Sequence, residues 1–287
     1  MSRISIRNVS YIYNEGMPFE KKALNNINLE IEAGEFIALI GHTGSGKSTL
    51  VQHLNGLNEP TSGEILYDGV NYREKGNKIA TLRQKVGLVF QYPEYQLFEE
   101  TVIKDIAFGA VNQGLSEEEV DLRVRRAMER VGLSYDDIGE ESPFSLSGGQ
   151  KRRVAIAGIL AMEPEVLVLD EPTAGLDPHG SREILNEIKG IYETTDTTIV
   201  LVSHSMEEVA QLATRMIVMD NGEVRMDDTP REIFKREKEL ESIGLGVPQV
   251  RSAMTMLKEK GLDVEENCIT VDEALKELTN WWEARHA

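Results

Sequence analysis

Apolar and polar positions alternate along this chain first with the period of a strand and later with that of a helix. Ile4 and Ile6, then Ile27, Leu29 and Ile31, alternate with polar neighbours, which predicts strands buried on one face. The turn Ala33-Gly34 leads into Phe36–Ile40, an unbroken apolar run. Residues 166–169, 198–202 and 216–219 have the same texture, expected of parallel strands covered on both faces. Asp220-Asn221-Gly222 follows the last run, and an Asn-Gly pair beside strand residues signals a hairpin.

Residues 92–163 switch to the helical period. Ser116 and Glu119 form a capping box, and Val120, Val124, Ala127, Met128 and Val131 fall on one helical face. The pattern is a helical insertion between strands of one sheet. After about residue 230 the chain is helical and polar again, with a break at Gly244, Gly246 and Pro248. The expected fold is therefore α/β: a mixed sheet with packed helices over residues 1–222 and a helical extension over 223–287.

Charge narrows the function. With 31 Lys+Arg against 49 Asp+Glu the formal charge is −18, which argues against coating nucleic acid, because neutralising phosphates takes clustered cations. It also argues against adhesion to an anionic membrane by charge alone. No apolar run approaches the roughly 20 residues that span a bilayer, and MSRISIRNVS carries no apolar signal segment. The expectation is a soluble cytosolic chain whose membrane work, if any, goes through a partner. Cys268 is the single cysteine, so no internal disulfide or cysteine zinc cluster forms, and it reads as a small packed residue.

The chemistry begins after Phe36–Ile40. Gly41-His42-Thr43-Gly44-Ser45-Gly46-Lys47-Ser48 matches GxxxxGK[ST], with a buried strand before it and a helical stretch from Thr49 after it. Glycines let backbone N–H groups turn inward onto phosphate oxygens, and the helix N-terminus adds positive potential. Lys47 is expected to reach the β- and γ-phosphates of ATP, and the Ser48 hydroxyl to bind Mg²⁺. Asp170 ends the apolar run 166–169, suited to hold the metal directly or through water. Glu171 follows at once, placed to polarise an attacking water.

Leu146-Ser147-Gly148-Gly149-Gln150, twenty-odd residues before Asp170-Glu171, is the signature of ABC-type ATPases, and with the P-loop the chain resembles that family over residues 1–222. The resemblance implies a P-loop NTPase core with an antiparallel β subdomain, a helical insertion and a C-terminal helical extension. It implies that Tyr13 stacks on adenine and that Gln91 is the Q-loop glutamine sensing magnesium and the γ-phosphate. It also implies that Ala174-Gly175-Leu176-Asp177 is the D-loop, with Asp177 at the nucleotide, and that His204 is the switch histidine. Glu171, His204, Gln91 and Lys47 would carry catalysis, and Ser48, Gln91 and Asp170 the metal. His42, His53, His179 and His286 have no motif role, and the His42 side chain is expected to face solvent.

In this family Ser147 and the N–H groups of Gly148 and Gly149, with Gln150, close on the nucleotide of a second subunit, so two chains meet head to tail around two ATP molecules. Tyr92-Pro93-Glu94-Tyr95-Gln96-Leu97-Phe98, directly after Gln91, resembles a short helix in ATPases of energy-coupling factor (ECF) transporters, importers of vitamins or of cobalt and nickel ions. Its aromatics suit a groove for a partner's helix; the alternative is that they pack into the helical insertion. The wording of the P-loop and of Gln52-His53-Leu54-Asn55-Gly56-Leu57 looks most like the second (A2-type) ATPase of that module. The implied partners are a distinct A1-type ATPase, an integral membrane coupling subunit (T component) docking near residues 91–98, and indirectly a substrate-capturing membrane S component, with this chain peripheral at the cytoplasmic face of the membrane. A homodimeric cobalt/nickel importer ATPase is the alternative, and a non-transport soluble ABC ATPase a lesser one. In the extension, Leu275, Leu278, Trp281 and Trp282 are expected near one helical face, burying against the partner or folding back.

Overall fold

The computed structural model describes residues 2–286. Its strands in chain order are β1 (Ser2–Tyr13), β2 (Lys21–Glu32), β3 (Phe36–Ile40), β4 (Ser62–Tyr67), β5 (Val86–Val89), β6 (Val166–Asp170), β7 (Thr198–Val202), β8 (Arg215–Asp220) and β9 (Glu223–Asp228). The core helices are α1 (Lys47–Leu54), α2 (Ile79–Lys85), α3 (Val102–Asn112), α4 (Glu117–Arg130), α5 (Tyr135–Ile138), α6 (Gly148–Leu160), α7 (Pro178–Thr194) and α8 (Met206–Leu212). A single-turn helix, Pro93–Gln96, follows β5, with Pro93 in its first turn where a missing N–H costs nothing.

Strands β2-β1-β4 form an antiparallel sheet, and β5-β6-β7-β3-β8-β9 a six-stranded one that is parallel except for the β8–β9 hairpin. The continuous apolar runs are explained by cover on both faces. In β6, Val166 and Val168 pack with the β1–β2 side of the molecule while Leu167 and Leu169 pack with the helical insertion; in β7, Val200 and Val202 face the first side and Ile199 and Leu201 the second. In β1 and β2, Ile4 lies opposite Ile31 and Ile6 opposite Leu29, and these pairs close a core over α1. The helical insertion lies between β5 and β6, with Ser116 capping α4 through the Glu119 N–H. The Asn221-Gly222 turn forms the expected hairpin, so the large sheet runs on to Asp228, past residue 222 where the sequence suggested the extension begins.

Register fixes the site. Leu39 and Asp170 both pair with Val202, so β3, β6 and β7 end together. The loop after β3, the acids ending β6 and the Ser203-His204 pair after β7 therefore leave one edge of the sheet, at the carboxyl ends of parallel strands where such folds bind ligands.

The extension adds α9 (Pro230–Phe234), α10 (Glu237–Ser242), α11 (Gln249–Glu259) and α12 (Val271–His286). The first two pack on the β8–β9 side through Ile233, Phe234 and Leu240. The last two build a small core of Met254, Val264, buried Cys268 and Ala274, onto which Leu278 and Trp281 fold back. Leu275 and Trp282 point outward with Val271, so the four apolar residues expected on one face divide between two.

Candidate functional site: a phosphate cradle and a helix start

Gly41 and Gly46 are glycines because of what stands beside them. A Cβ on Gly41 would run into the Met219 carbonyl and come 2.5 Å from Ser45 Oγ; one on Gly46, at φ +107°, would lie 2.6 Å from the Ala23 carbonyl. The loop is thus pressed against β8 and β2. Gly41→Ala is expected to lower stability by about 1–3 kcal/mol and to weaken ATP binding with it, measurable by thermal unfolding and by titration with a fluorescent nucleotide.

Lys47, the first residue of α1, is buried, and its ammonium donates to the carbonyls of Gly41 (2.7 Å) and His42 (3.1 Å). Burial depresses its pKa, opposed by the negative charges of Glu171 and Asp170. Asp170 is 8 % exposed, hydrogen-bonded to Ser48, and held above the usual carboxylate range by burial, with the adjacent Glu171 charge adding to the shift. Two buried or half-buried carboxylates beside a hydroxyl form a hard-oxygen donor set that suits a small divalent cation. Among the described residues no three His, Cys, Asp or Glu side chains converge on one cation position.

Glu171 sits at φ +50°, a left-handed conformation unusual for glutamate, with its N–H bonded to the Val202 carbonyl. One carboxylate oxygen lies 2.6 Å from His204 Nε2, and the other accepts from the Gln91 amide at 2.9 Å. Strands β5, β6 and β7 have thus brought three separate motifs into one contact. Tyr13 and Thr49 complete the cleft, with 3.1 Å between their hydroxyls. The Tyr13 ring stands perpendicular to that of Tyr11 and is 37 % exposed at the rim. Thr43, Gly44, Gly46, Lys47 and Ser48 line the floor. Ser45 is buried beneath it, its N–H donating to the His42 carbonyl and its carbonyl accepting from Gly222.

The signature residues lie elsewhere. Ser147 caps α6 with its hydroxyl accepting from the Gln150 N–H, while the Gln150 side chain accepts from the Ser147 N–H and hydroxyl. Ser147, Gly149 and Gln150 line a shallow depression with Arg153 and Glu183, separate from the cleft of Lys47. Asp177 caps α7, its carboxylate accepting from Gly180 N–H at 2.7 Å, and it does not line the Lys47 cleft. His42 does not simply face solvent: its Nε2 lies 3.0 Å from Asp220 and its Nδ1 2.9 Å from the Thr43 carbonyl, which braces the loop against β8. His53 is a core residue, bonded to the Thr49 carbonyl and edge-on to Tyr11.

Sequence reasoning missed two residues. Glu208 on α8 accepts from Thr173 Oγ1 (3.0 Å) and Ser203 Oγ (2.6 Å), tying the segment after Glu171 to the strand end before His204. Arg152, buried on α6, reaches Glu94 and the carbonyls of Pro172 and Ala174. Nothing in the run Lys151-Arg152-Arg153 says which cation is buried, since burial depends on partners 58 and 20 residues away in sequence.

A phosphate cradle at the carboxyl edge of a parallel sheet, a carboxylate pair beside it and a capped signature helix on a separate surface define an ABC-type ATPase. The family model described as ABC transporter matches residues 24–174. A Clostridium tetani protein named energy-coupling factor transporter ATP-binding protein EcfA2 is 59 % identical over 96 % of both chains, and a Clostridium perfringens protein of the same name 58 % over the same shares. The solved structure of cbiO1 from Clostridium perfringens, described as part of the ABC transporter complex cbiONQ, is 39 % identical with a TM-score of 0.74, over 84 % of this chain and 94 % of that one. The ATP-binding cassette MJ0796, solved as a dimer bound to ADP and Pi, is 30 % identical with a TM-score of 0.70, over 79 % of this chain and 98 % of that one. The chain belongs to the energy-coupling factor transporter ATP-binding proteins of the ABC transporter family.

Proposed function

We propose that this chain is the A2-type ATPase of an ECF importer and closes head to tail on ATP with a distinct A1-type ATPase. Together they would power uptake of vitamins or other micronutrients through an integral membrane subunit at the cytoplasmic face. The observation that carries this reading is the separation of the Lys47 cleft from the Ser147–Gln150 helix start. Each nucleotide is faced on one side only by the chain that binds it, and a second signature helix supplies donors and a positive dipole end for the other side. In that site Lys47 would hold the β- and γ-phosphates, Tyr13 would stack on adenine, and Ser48, Asp170 and Gln91 would hold Mg²⁺. Bound there, the cation offsets phosphate charge. Glu171 takes a proton from the attacking water, and His204 orients Glu171 and contacts the γ-phosphate.

A groove between α2, α3 and α6, mostly apolar through Leu88, Leu97, Phe98, Phe108 and Ile159 but with Arg83 and Asp105 in its lining, supports docking of the membrane subunit's helix. Phe98 packs edge-on to Phe108 at 4.9 Å, yet both remain about half exposed, and Tyr95 is 84 % exposed. Phe108→Glu is expected to cost the complex its membrane subunit while nucleotide binding to the purified chain is unchanged; retention of the subunit after detergent extraction would count against this groove.

A second reading, a homodimeric ATPase of a cobalt/nickel importer, rests on the resemblance of residues 92–98 to ATPases of ECF transporters, which include such importers. Intact-mass spectrometry of the complex this chain brings out of native membranes separates the two. A second, different ATPase with a shared integral subunit supports the first reading, and two copies of this chain with one dedicated membrane set supports the other. An ATP-hydrolysing preparation with no membrane subunit overturns both.

A further inference from the structure

Arg152 is the bulkiest of the fully buried side chains, and nothing in the phosphate chemistry uses it. A buried cation is tolerated only when its donors are satisfied. Here Nε and Nη2 form a fork onto the two Glu94 oxygens at 3.1 and 2.8 Å, and Nη1 donates to the Pro172 and Ala174 carbonyls at 2.9 Å each. One guanidinium therefore joins three segments: the single-turn helix after Gln91, the signature helix α6, and the backbone directly after Glu171. The same stretch is held from its other side, where Glu208 takes the Thr173 hydroxyl. Tyr92 adds a contact, since its ring stands 3.3 Å from where a Cβ on Gly175 would be.

We infer that Arg152 is a positioning residue, which with Glu94 transmits displacement of Pro93–Gln96 to residues 172–174 and so to the Glu171 carboxylate. The geometry makes the link stiff. A bidentate guanidinium–carboxylate fork is planar and directional, so Glu94 cannot shift without carrying the guanidinium or leaving it unpaired in the interior. The guanidinium in turn holds the carbonyls one and three residues beyond Glu171. Because Glu171 already occupies a left-handed backbone conformation, its carboxylate direction depends on these neighbours. This inference rests on the proposed role of Glu171 as general base.

The test uses the full chain in its assembled ATPase complex, comparing Glu94→Gln, Arg152→Lys, the double variant and Glu171→Gln for kcat, KM for ATP and thermal midpoint. A displacement of about 1 Å at a reacting group is enough for a large loss, so Glu94→Gln and Arg152→Lys are each expected to lower kcat roughly ten- to a hundredfold with KM within about twofold. Because they act through one linkage, the double variant should be no slower than Arg152→Lys alone. Should Arg152→Lys fail to fold, Glu94→Gln carries the test, since Glu94 lies at the margin of the buried cluster. A wild-type kcat with a lowered midpoint would mark a merely structural ion pair and overturn the inference, as would losses that multiply in the double variant. Failure of the underlying reading looks different: Glu171→Gln would then turn over normally. An inactive Glu171→Gln beside a fully active Glu94→Gln overturns the linkage alone.

Discussion

Glu171→Gln is expected to bind ATP, remain closed with its partner ATPase and lose about 10²- to 10⁴-fold in hydrolysis, the usual contribution of a positioned base. The substitution keeps shape and removes charge. In the native site the two carboxylate oxygens serve different donors, His204 at 2.6 Å and Gln91 at 2.9 Å. An amide offers one acceptor oxygen and one donor nitrogen, so it keeps both neighbours only if His204 changes tautomer and presents Nε2 as an acceptor. It also has no basic lone pair to take a proton from water. Binding should survive, because Lys47, the loop amides and Ser48 are untouched. Loss of one negative charge beside Asp170 should even favour the triphosphate, since Glu171 is part of what raises the Asp170 pKa. Single-turnover hydrolysis, together with the size of the complex in ATP, checks both halves. Normal turnover by the variant would remove Glu171 from the base role.

How far the sequence could be read depends on the range of the interaction concerned. The buried strands were legible because cover on both faces leaves an unbroken apolar run, as in 166–169 and 198–202, and the structure buries each of those residues. The cradle was legible because its glycines, lysine and serine stand at fixed spacing in one short run, although the carbonyls that exclude a Cβ at Gly41 and Gly46 belong to the distant Met219 and Ala23. The hairpin at Asn221-Gly222 was legible for the same reason, yet the extension was expected to begin one strand too early because β9 alternates weakly, with Met226 its one fully buried residue.

Long-range pairing was not legible. Glu94 stands in a surface-like segment among exposed aromatics, and only the fold brings Arg152 against it. The cap that Asp177 makes on α7 was likewise not read from the sequence, where the resemblance pointed only to the nucleotide. In α12 the spacing of Leu275, Leu278, Trp281 and Trp282 predicts one shared stripe. The core of the extension takes Leu278 and Trp281 with Ala274, and Leu275 and Trp282 are left outside, a division that depends on where α11 lies. Apolar content alone does not say which stripe a neighbour will cover.

The signature helix supplies the second large effect, with opposite signs in stability and activity. Gly148 and Gly149 open α6 with ordinary helical backbone, and a Cβ on either would meet nothing within 4 Å of the chain. Neither local conformation nor internal packing calls for glycine there, and in a helix glycine is unfavourable. The room lies outward, where another molecule can approach the backbone. Gly149→Asp should therefore stabilise the free chain by about 0.5–1 kcal/mol, through lost glycine entropy and a carboxylate at the positive end of the helix. In the ATPase pair the same carboxylate would stand against the partner's γ-phosphate, where the bare amides are proposed to donate. The backbone N–H survives the substitution, but the carboxylate keeps the phosphate away from it; a donor put out of reach in this way costs about 10²- to 10³-fold in turnover, and like-charge repulsion adds to it. Nucleotide binding by the free chain should be unchanged, since the cleft of Lys47 lies apart from α6. A raised thermal midpoint with collapsed hydrolysis would place the signature at the partner's nucleotide. A variant that is stabilised and fully active would show that this helix start faces solvent throughout the cycle, and the head-to-tail arrangement would fall with it.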